Sequence, residues 1–514
     1  MNGYHGRTVR GLEAEAKRPE FEGRFGRMFA RGEVTYGSTP QEQLDNLQRL
    51  AAGMVATFDA PKDGPDGEES GIPALYTYLG QFVDHDLTFD PDGSFQKEKD
   101  PYATEDFRSP AFDLDSVYGR GPGDQPYLYD SDGKSFLLGD PLTLGSEGAR
   151  DLQRNAVGRA LIGDPRNDEN AIVSQLQGLF LRFHNRTVKE NPNLPFKDVQ
   201  RRVRHHYQYV VMNDFLPKIV HKSVLDALKT NGAYDKAKLE YYKYDKYPFM
   251  PIEFSVAAYR LGHSMVRPGY RLNDAILLPI FPVKDTGEQP PTLPEGLTGF
   301  RRVISDWGID WARFIDIEER AYGSTPGKVN LPADFRRLQF AYRIDTSLVD
   351  PLGSLPASVV NNDPKSLAFR NLQRGQQFKL PTGQEVAKAM EVKHLEDEEI
   401  LIGKGVEESD EPGEPHEPLP NILRFGQVFA GRCPLWTYIL AEAMHNKVSV
   451  PIPATGGPSI PTPQLGPVGG RIVAEVFLGL MFADPGSYLS MSPGWVPAGG
   501  AGYALKDFVR FALG

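Results

Sequence analysis

Apolar residues recur at helical spacing in several parts of the chain, and one such stretch, Gly71 to Phe89, organises the rest. Leu75, Leu79, Phe82 and Val83 form its apolar set, and Pro73 suits a first helical turn. The predicted helix ends in three consecutive ionisable residues, Asp84, His85 and Asp86. Neighbouring helical side chains diverge by roughly 100°, so these three are expected to face three different surroundings. Gln81, four residues before His85, shares its face.

Similar spacing predicts a helix over Gln41–Met54, opened by Thr39-Pro40, and a long one over 168–190 carrying Ile172, Leu176, Leu179, Phe180 and Phe183. Others are expected over Lys197–Val220, Pro251–Met265, Asp310–Glu319, Ala333–Tyr342, Glu385–Leu395, Asn421–His445 and Gly470–Ala483. Tyr127–Leu138 reads as a hairpin turning on Asp132-Gly133. Pro61–Gly71, Asp90–Asp106, Phe281–Gly299, Glu407–Pro420 and Pro451–Gly469 read as loops. The class is mainly α, with long irregular loops and little β. Residues 1–38 are rich in glycine and charge and are expected to wrap the surface. No linker stands out, so 1–72 is read as a wrapping segment of the same domain as 73–514.

Composition narrows the function. A net charge of −11 over 514 residues argues against nucleic acid and anionic membranes as main partners and is compatible with cation binding. The lone cysteine, Cys433, excludes an intrachain disulfide framework and reads as a buried small residue. The start, Met1-Asn-Gly-Tyr-His-Gly-Arg, has no apolar run of the signal-peptide kind, and nothing approaches the roughly 20 apolar residues of a membrane span. The expectation is a soluble protein, cytoplasmic or exported by a non-classical route.

Several residues could carry chemistry. Ser109, Ala111, Asp113 and Asp115 alternate along a short segment, so side chains and carbonyls can converge. Calcium takes about six to eight oxygen ligands of this kind. The segment alone reads more readily as a solvated acidic loop, unless Asp86 adds a ligand from behind the organising helix. Arg166 is expected at the N-terminus of the 168–190 helix, where a cation opposes the helix dipole. His263 comes late in an apolar helix beside Gly262, whose missing side chain would let a flat ligand approach; a satisfied core histidine is the commoner reading of such a position. Asn371 offers an amide that could orient such a histidine. Gly323–Lys328 lacks phosphate-loop spacing, and Asp130-Ser-Asp-Gly133 lacks the distant glutamate of an EF-hand loop.

In order, Gly80-Gln-Phe-Val-Asp-His-Asp86, Ser109–Gly119, Asp164-Pro-Arg-Asn-Asp-Glu169, Arg260-Leu-Gly-His263 and Asn371-Leu-Gln-Arg374 resemble the animal-type haem peroxidases of the peroxidase–cyclooxygenase superfamily, in a bacterial-like member. Phe183-His-Asn-Arg186 and Pro434-Leu-Trp436 also look like family segments. The resemblance implies a haem b between the organising helix and the segment of His263. His263 matches the residue that holds the iron, Asn371 the amide on its other ring nitrogen, and Arg260 a haem-contacting position. His85 matches the distal histidine, Arg166 the cation that stabilises charge as the O–O bond breaks, and Gln81 the amide that holds water or a halide. Asp84 and Glu169 match carboxylates that form esters to haem in vertebrate members. Asp86, Ser109, the Ala111 carbonyl, Asp113 and Asp115 match a calcium shell.

The implied activity is reduction of hydrogen peroxide through a ferryl state, with oxidation of a halide, thiocyanate or phenol. Asn170 stands where one vertebrate member has a haem-bonding methionine, so that link is excluded. A fatty-acid dioxygenase of the same superfamily is the first alternative. Its radical-forming tyrosine lies three residues before the histidine, where this chain has Arg260; Tyr259 is one residue early and on a helix would turn roughly 100° away. A non-enzymatic, calcium-stabilised interaction domain is the second alternative. Oligomeric state is open.

Overall fold

In the computed structural model the described residues are 25–56, 65–88, 110–244, 247–281, 296–320, 322, 337–357, 359–360, 363–406, 418–453 and 457–514. The longer helices are α1 (Pro40–Gly53), α2 (Leu75–Leu87), α3 (Ala171–Glu190), α4 (Phe196–Val210), α5 (Leu367–Gln377), α6 (Gly383–Ala389), α7 (Leu435–His445), α8 (Pro467–Ala483) and α9 (Leu505–Leu513). Among the described residues strands pair only two by two: β1 (Glu69–Pro73) with β2 (Phe340–Tyr342), and β3 (Lys447–Pro451) with β4 (Ser459–Pro463), among other short pairs. The fold is mainly α, as expected.

The apolar faces account for the packing. Leu75, Leu79, Phe82 and Val83 of α2 are wholly buried, each such side chain contributing about 1.5–3 kcal/mol on burial. Phe82 stacks on Phe180 of α3 with ring centroids 4.3 Å apart, and Phe183 stacks on Phe508 of α9 at 4.0 Å. A continuous buried cluster runs from Phe25 to Ala512. No helix among the described residues is long and apolar enough to cross a membrane.

Local signals set several boundaries. Thr39 Oγ1 accepts the Glu42 N–H at 3.2 Å to cap α1. Thr382 and Glu385 form a capping box on α6. The Tyr127–Leu138 hairpin is present, with Tyr129 bridged to Phe136 across the turn. Cys433 is buried, and burial raises its thiol pKa well above the usual value, which leaves it inert.

Other expectations change. Pro73 ends β1 rather than opening α2, because residues 69–73 pair with β2. Ala333–Tyr342 is not a helix where it is described: Phe340–Tyr342 is strand, and Arg337 pairs with Glu69 at 2.7 Å, which ties it to β1. Only Trp311–Arg313 turns helically within 310–319. Asn421–His445 is two short 3-10 turns and then α7, divided by Gly431 at φ +62° and by Pro434. The segment after Pro251 is π-helical over Glu253–Ala257 and 3-10 over Ala258–His263, not an α-helix. It packs against α2, α5, α7 and α8 at once, and such packing overrides local preference. Lys197–Val220 likewise has a π turn at Val211–Phe215. Helices α5 and α9 and the β3–β4 hairpin lack a counterpart among the sequence expectations. Gly323–Lys328, residues 1–24, and most of Phe281–Gly299 and Glu407–Pro420 lie outside the described residues.

Candidate functional site

A cavity of about 530 Å³ lies where α2 meets the Glu253–His263 segment. Gln81, Asp84 and His85 line it from α2, Arg166 and Glu169 from the turn before α3, and Arg260, Gly262 and His263 from the 3-10 turn. Asp84 and His85 therefore share one surrounding, and only Asp86 turns behind the helix.

His85 is 4% exposed. Its Nδ1 lies 2.8 Å from Oδ1 of Asn167, and Nδ2 of Asn167 donates to Oε1 of Gln177 at 2.9 Å. An oxygen facing Nδ1 calls for a proton there, which leaves the lone pair on Nε2. That Nε2 is 3.6 Å from Oε1 of Glu169. Glu169 also accepts from Nε2 of Gln81, whose Oε1 accepts from Asn170 Nδ2 at 3.2 Å. Burial raises the pKa of Glu169, while Arg166 pulls it down.

Arg166 does not sit on the N-terminus of α3. It belongs to a 3-10 turn, Pro165–Asp168, and Asn170 caps α3 by accepting from Ile172 and Val173 N–H at 3.1 and 2.9 Å. The guanidinium pairs with Asp164 at 2.8 Å and donates to the carbonyls of His85, at 3.0 Å, and Thr88. Those carbonyls end α2, so the cation occupies the favourable pole of a helix dipole. The expected conflict with the dipole is absent.

Across the cavity, Nδ1 of His263 lies 2.9 Å from Nδ2 of Asn371 on α5. Burial, then Arg260, lowers the His263 pKa to about 3, so the imidazole is neutral. A metal at Nε2 needs the proton on Nδ1, and a half-turn of the Asn371 amide, which only exchanges its O and N, presents Oδ1 to it. A side chain at Gly262 would meet nothing within 4 Å, so there is open space beside the imidazole. A neutral, oriented histidine next to unfilled space in a cavity of this size fits a flat iron-bearing ligand. Tyr259 also lines the cavity, its hydroxyl donating to the Gly80 carbonyl at 3.2 Å. The expected turn away from the site is not seen: Tyr259 and Arg260 both line the cavity.

Behind α2, carboxylate oxygens of Asp86, Asp113 and Asp115 lie within 4.8 Å of one another. Asp86 is wholly buried and Asp113 2% exposed. Asp86 accepts from Leu114 N–H and Ser116 Oγ at 3.2 and 3.3 Å. Leu114 takes a left-handed φ of +56° to make the loop. Buried like charges this close are costly without a cation. The Ala111 carbonyl accepts from Asp113 N–H at 2.9 Å, and Ser109 lies outside the described residues.

Asn167 and Gln177 are missing from the sequence-derived site. The available signal was position: Asn167 directly follows Arg166 in a proline-led polar turn.

With this geometry in view, residues 108–295 match the family model for animal haem peroxidase. Within that span the chain resembles animal haem peroxidases. The matched span contains Arg166, Glu169, Arg260 and His263. Over 122 residues the chain is 31% identical to dual oxidase of Drosophila melanogaster, covering 22% of this chain and 7% of that protein. Over 257 residues it is 26% identical to peroxidasin homolog of Homo sapiens, covering 48% and 15%. The chain thus spans a small part of the length of these relatives. Peroxidase A from Dictyostelium discoideum shares the fold, with a TM-score of 0.57 at 14% identity over 95% of this chain and 93% of that one. Oryza sativa fatty acid alpha-dioxygenase does too, with a TM-score of 0.54 at 16% identity over 96% and 79%. A match to this family model implies haem.

Proposed function

We propose that the protein is a haem peroxidase that reduces hydrogen peroxide and oxidises small donors such as a halide, thiocyanate or a phenol. One observation carries the reading: two histidines, the buried His85 and the half-buried His263, line one cavity, and each meets an asparagine amide at Nδ1. His263 would hold the iron of haem b through Nε2, with Asn371 fixing its tautomer. The haem supplies the redox chemistry at which the peroxide O–O bond breaks. His85 accepts a peroxide proton at Nε2 and returns it to the departing oxygen. Arg166, fixed by Asp164 and the end of α2, presents positive charge to the oxygen that becomes negative. Gln81, held between Glu169 and Asn170, positions water or a halide near His85. Arg260 braces the His263 turn, its Nε donating to the Ser255 carbonyl at 2.8 Å.

Asp84 and Glu169 both line the cavity and are the candidates for ester bonds to haem, detectable as a mass addition that survives denaturation. Asp86, Asp113 and Asp115, with the Ala111 carbonyl and Ser109, are assigned to calcium. Residues 1–72 and 73–514 are assigned to one catalytic body, in line with the cluster that begins at Phe25.

A haem-reconstituted His85→Ala variant tests the reading. Haem should stay bound while the reaction with peroxide slows by about 10²–10⁴-fold; an unchanged rate contradicts the role of His85. The dioxygenase reading is favoured by Tyr259 in the cavity wall and disfavoured by the bond of its hydroxyl to Gly80. Fatty-acid oxygenation without peroxide, abolished in Tyr259→Phe, would establish it.

A further inference from the structure

The peroxidase reading asks His85 to be a base at Nε2, but an imidazole can carry its proton on either nitrogen. We propose that Asn167, oriented by Gln177, is a positioning residue that keeps the His85 proton on Nδ1 and its lone pair toward the cavity. The inference rests on the role assigned to His85 above.

Three observations support it. Asn167 and Gln177 are both wholly buried, so water does not compete for their amides. With Gln177 Oε1 taking the Asn167 N–H at 2.9 Å, Asn167 Oδ1 faces His85 Nδ1 at 2.8 Å. The backbone around Asn167 is clamped on both sides. Its N–H donates to the Asp164 carbonyl at 3.1 Å. The next residue, Asp168, is held by the Arg154 guanidinium through two bonds of 2.7 Å. Arg166 meanwhile donates to the His85 carbonyl at 3.0 Å. The same short turn therefore fixes the backbone, the ring orientation and the tautomer of His85. The amide touches no part of the cavity itself: neither Asn167 nor Gln177 lines it.

The test uses the full chain labelled with ¹⁵N-histidine, with the His85 signals assigned by their loss in His85→Gln. The parent should show a protonated Nδ1 and an unprotonated Nε2. Asn167→Asp keeps an oxygen at the same place, with the Gln177 amide turned to donate to it, and should preserve that pattern. Asn167→Leu should lose it. In the haem-loaded proteins the second-order rate with peroxide should fall about 10- to 100-fold in Asn167→Leu and return toward the parent in Asn167→Asp. An unprotonated Nδ1 in the parent, or the same tautomer in Asn167→Leu, overturns the proposal. If the tautomers behave as stated but His85→Gln reacts with peroxide as fast as the parent, the positioning role stands and the peroxidase reading falls.

Discussion

Three histidines, the buried His85 and His184 and the half-buried His263, separate a site from a core. His184 uses both ring nitrogens: Tyr118 Oη lies 3.0 Å from Nδ1 and the Lys134 carbonyl 2.9 Å from Nε2. It is a satisfied core histidine and does not line the cavity. His85 and His263 each spend Nδ1 on an asparagine and turn the rest of the ring to the cavity. They differ in their backbones. His85 rides a regular helix whose next residue, Asp86, is bound into the acidic loop; His263 ends a π-then-3-10 segment wedged among four helices. Strong dehydration keeps His263 neutral and fit to be a ligand, whereas His85 lies beside Glu169 and fits proton transfer.

The largest expected effect comes from removing the ligand side. His263→Ala should abolish stoichiometric haem binding, seen as loss of the Soret band, whereas His85→Ala should keep the band and lose the peroxide reaction. Equal haem retention in both variants would erase the distinction between the two histidines.

Asp113→Ala should remove the bound calcium and, through Asp86, displace His85, slowing the peroxide reaction by about 10-fold. Metal analysis and the haem spectrum check this together. If calcium content and spectrum both stay as in the parent, the metal site is misplaced.

His184 gives a stability test. Unfolded, its imidazole takes a proton near pH 6.5; folded, burial keeps it neutral down to about pH 4. Stability is therefore full above pH 6.5 and is lost as the pH falls toward 4, by on the order of 3 kcal/mol. His184→Gln should be less stable at pH 7 but lose less between pH 7 and pH 4.5, as read from denaturant midpoints. The smallest effect is expected of Asn371→Asp, which should keep haem and shift its reduction potential to more negative values, because a carboxylate makes His263 a stronger donor.

The long amphipathic helices were legible because α1, α2, α3 and α8 bury one continuous apolar face or are buried all round. The β3–β4 hairpin was hidden by Pro451, Pro461 and Pro463, residues that read as loop although β4 pairs with β3 along five positions. Helix α5 was hidden by its polarity: of Leu367–Gln377, only Ala368, Phe369, Asn371 and Leu372 are buried. In the site, His85, Arg166, His263 and Asn371 were legible as a series of motifs in order. Asn167 was not, since its role depends on a contact 82 residues distant in the chain. Arg166 was found for a reason that the structure removes: its partner is the end of α2, which no reading of the α3 sequence alone contains.

The most direct test of the account is the absorption spectrum of the full chain purified from haem-supplemented cells, before and after one equivalent of hydrogen peroxide. The account predicts a strong Soret band that shifts within milliseconds and returns when a halide or phenol is added. A haem band that ignores peroxide, or no Soret band at all, would contradict it.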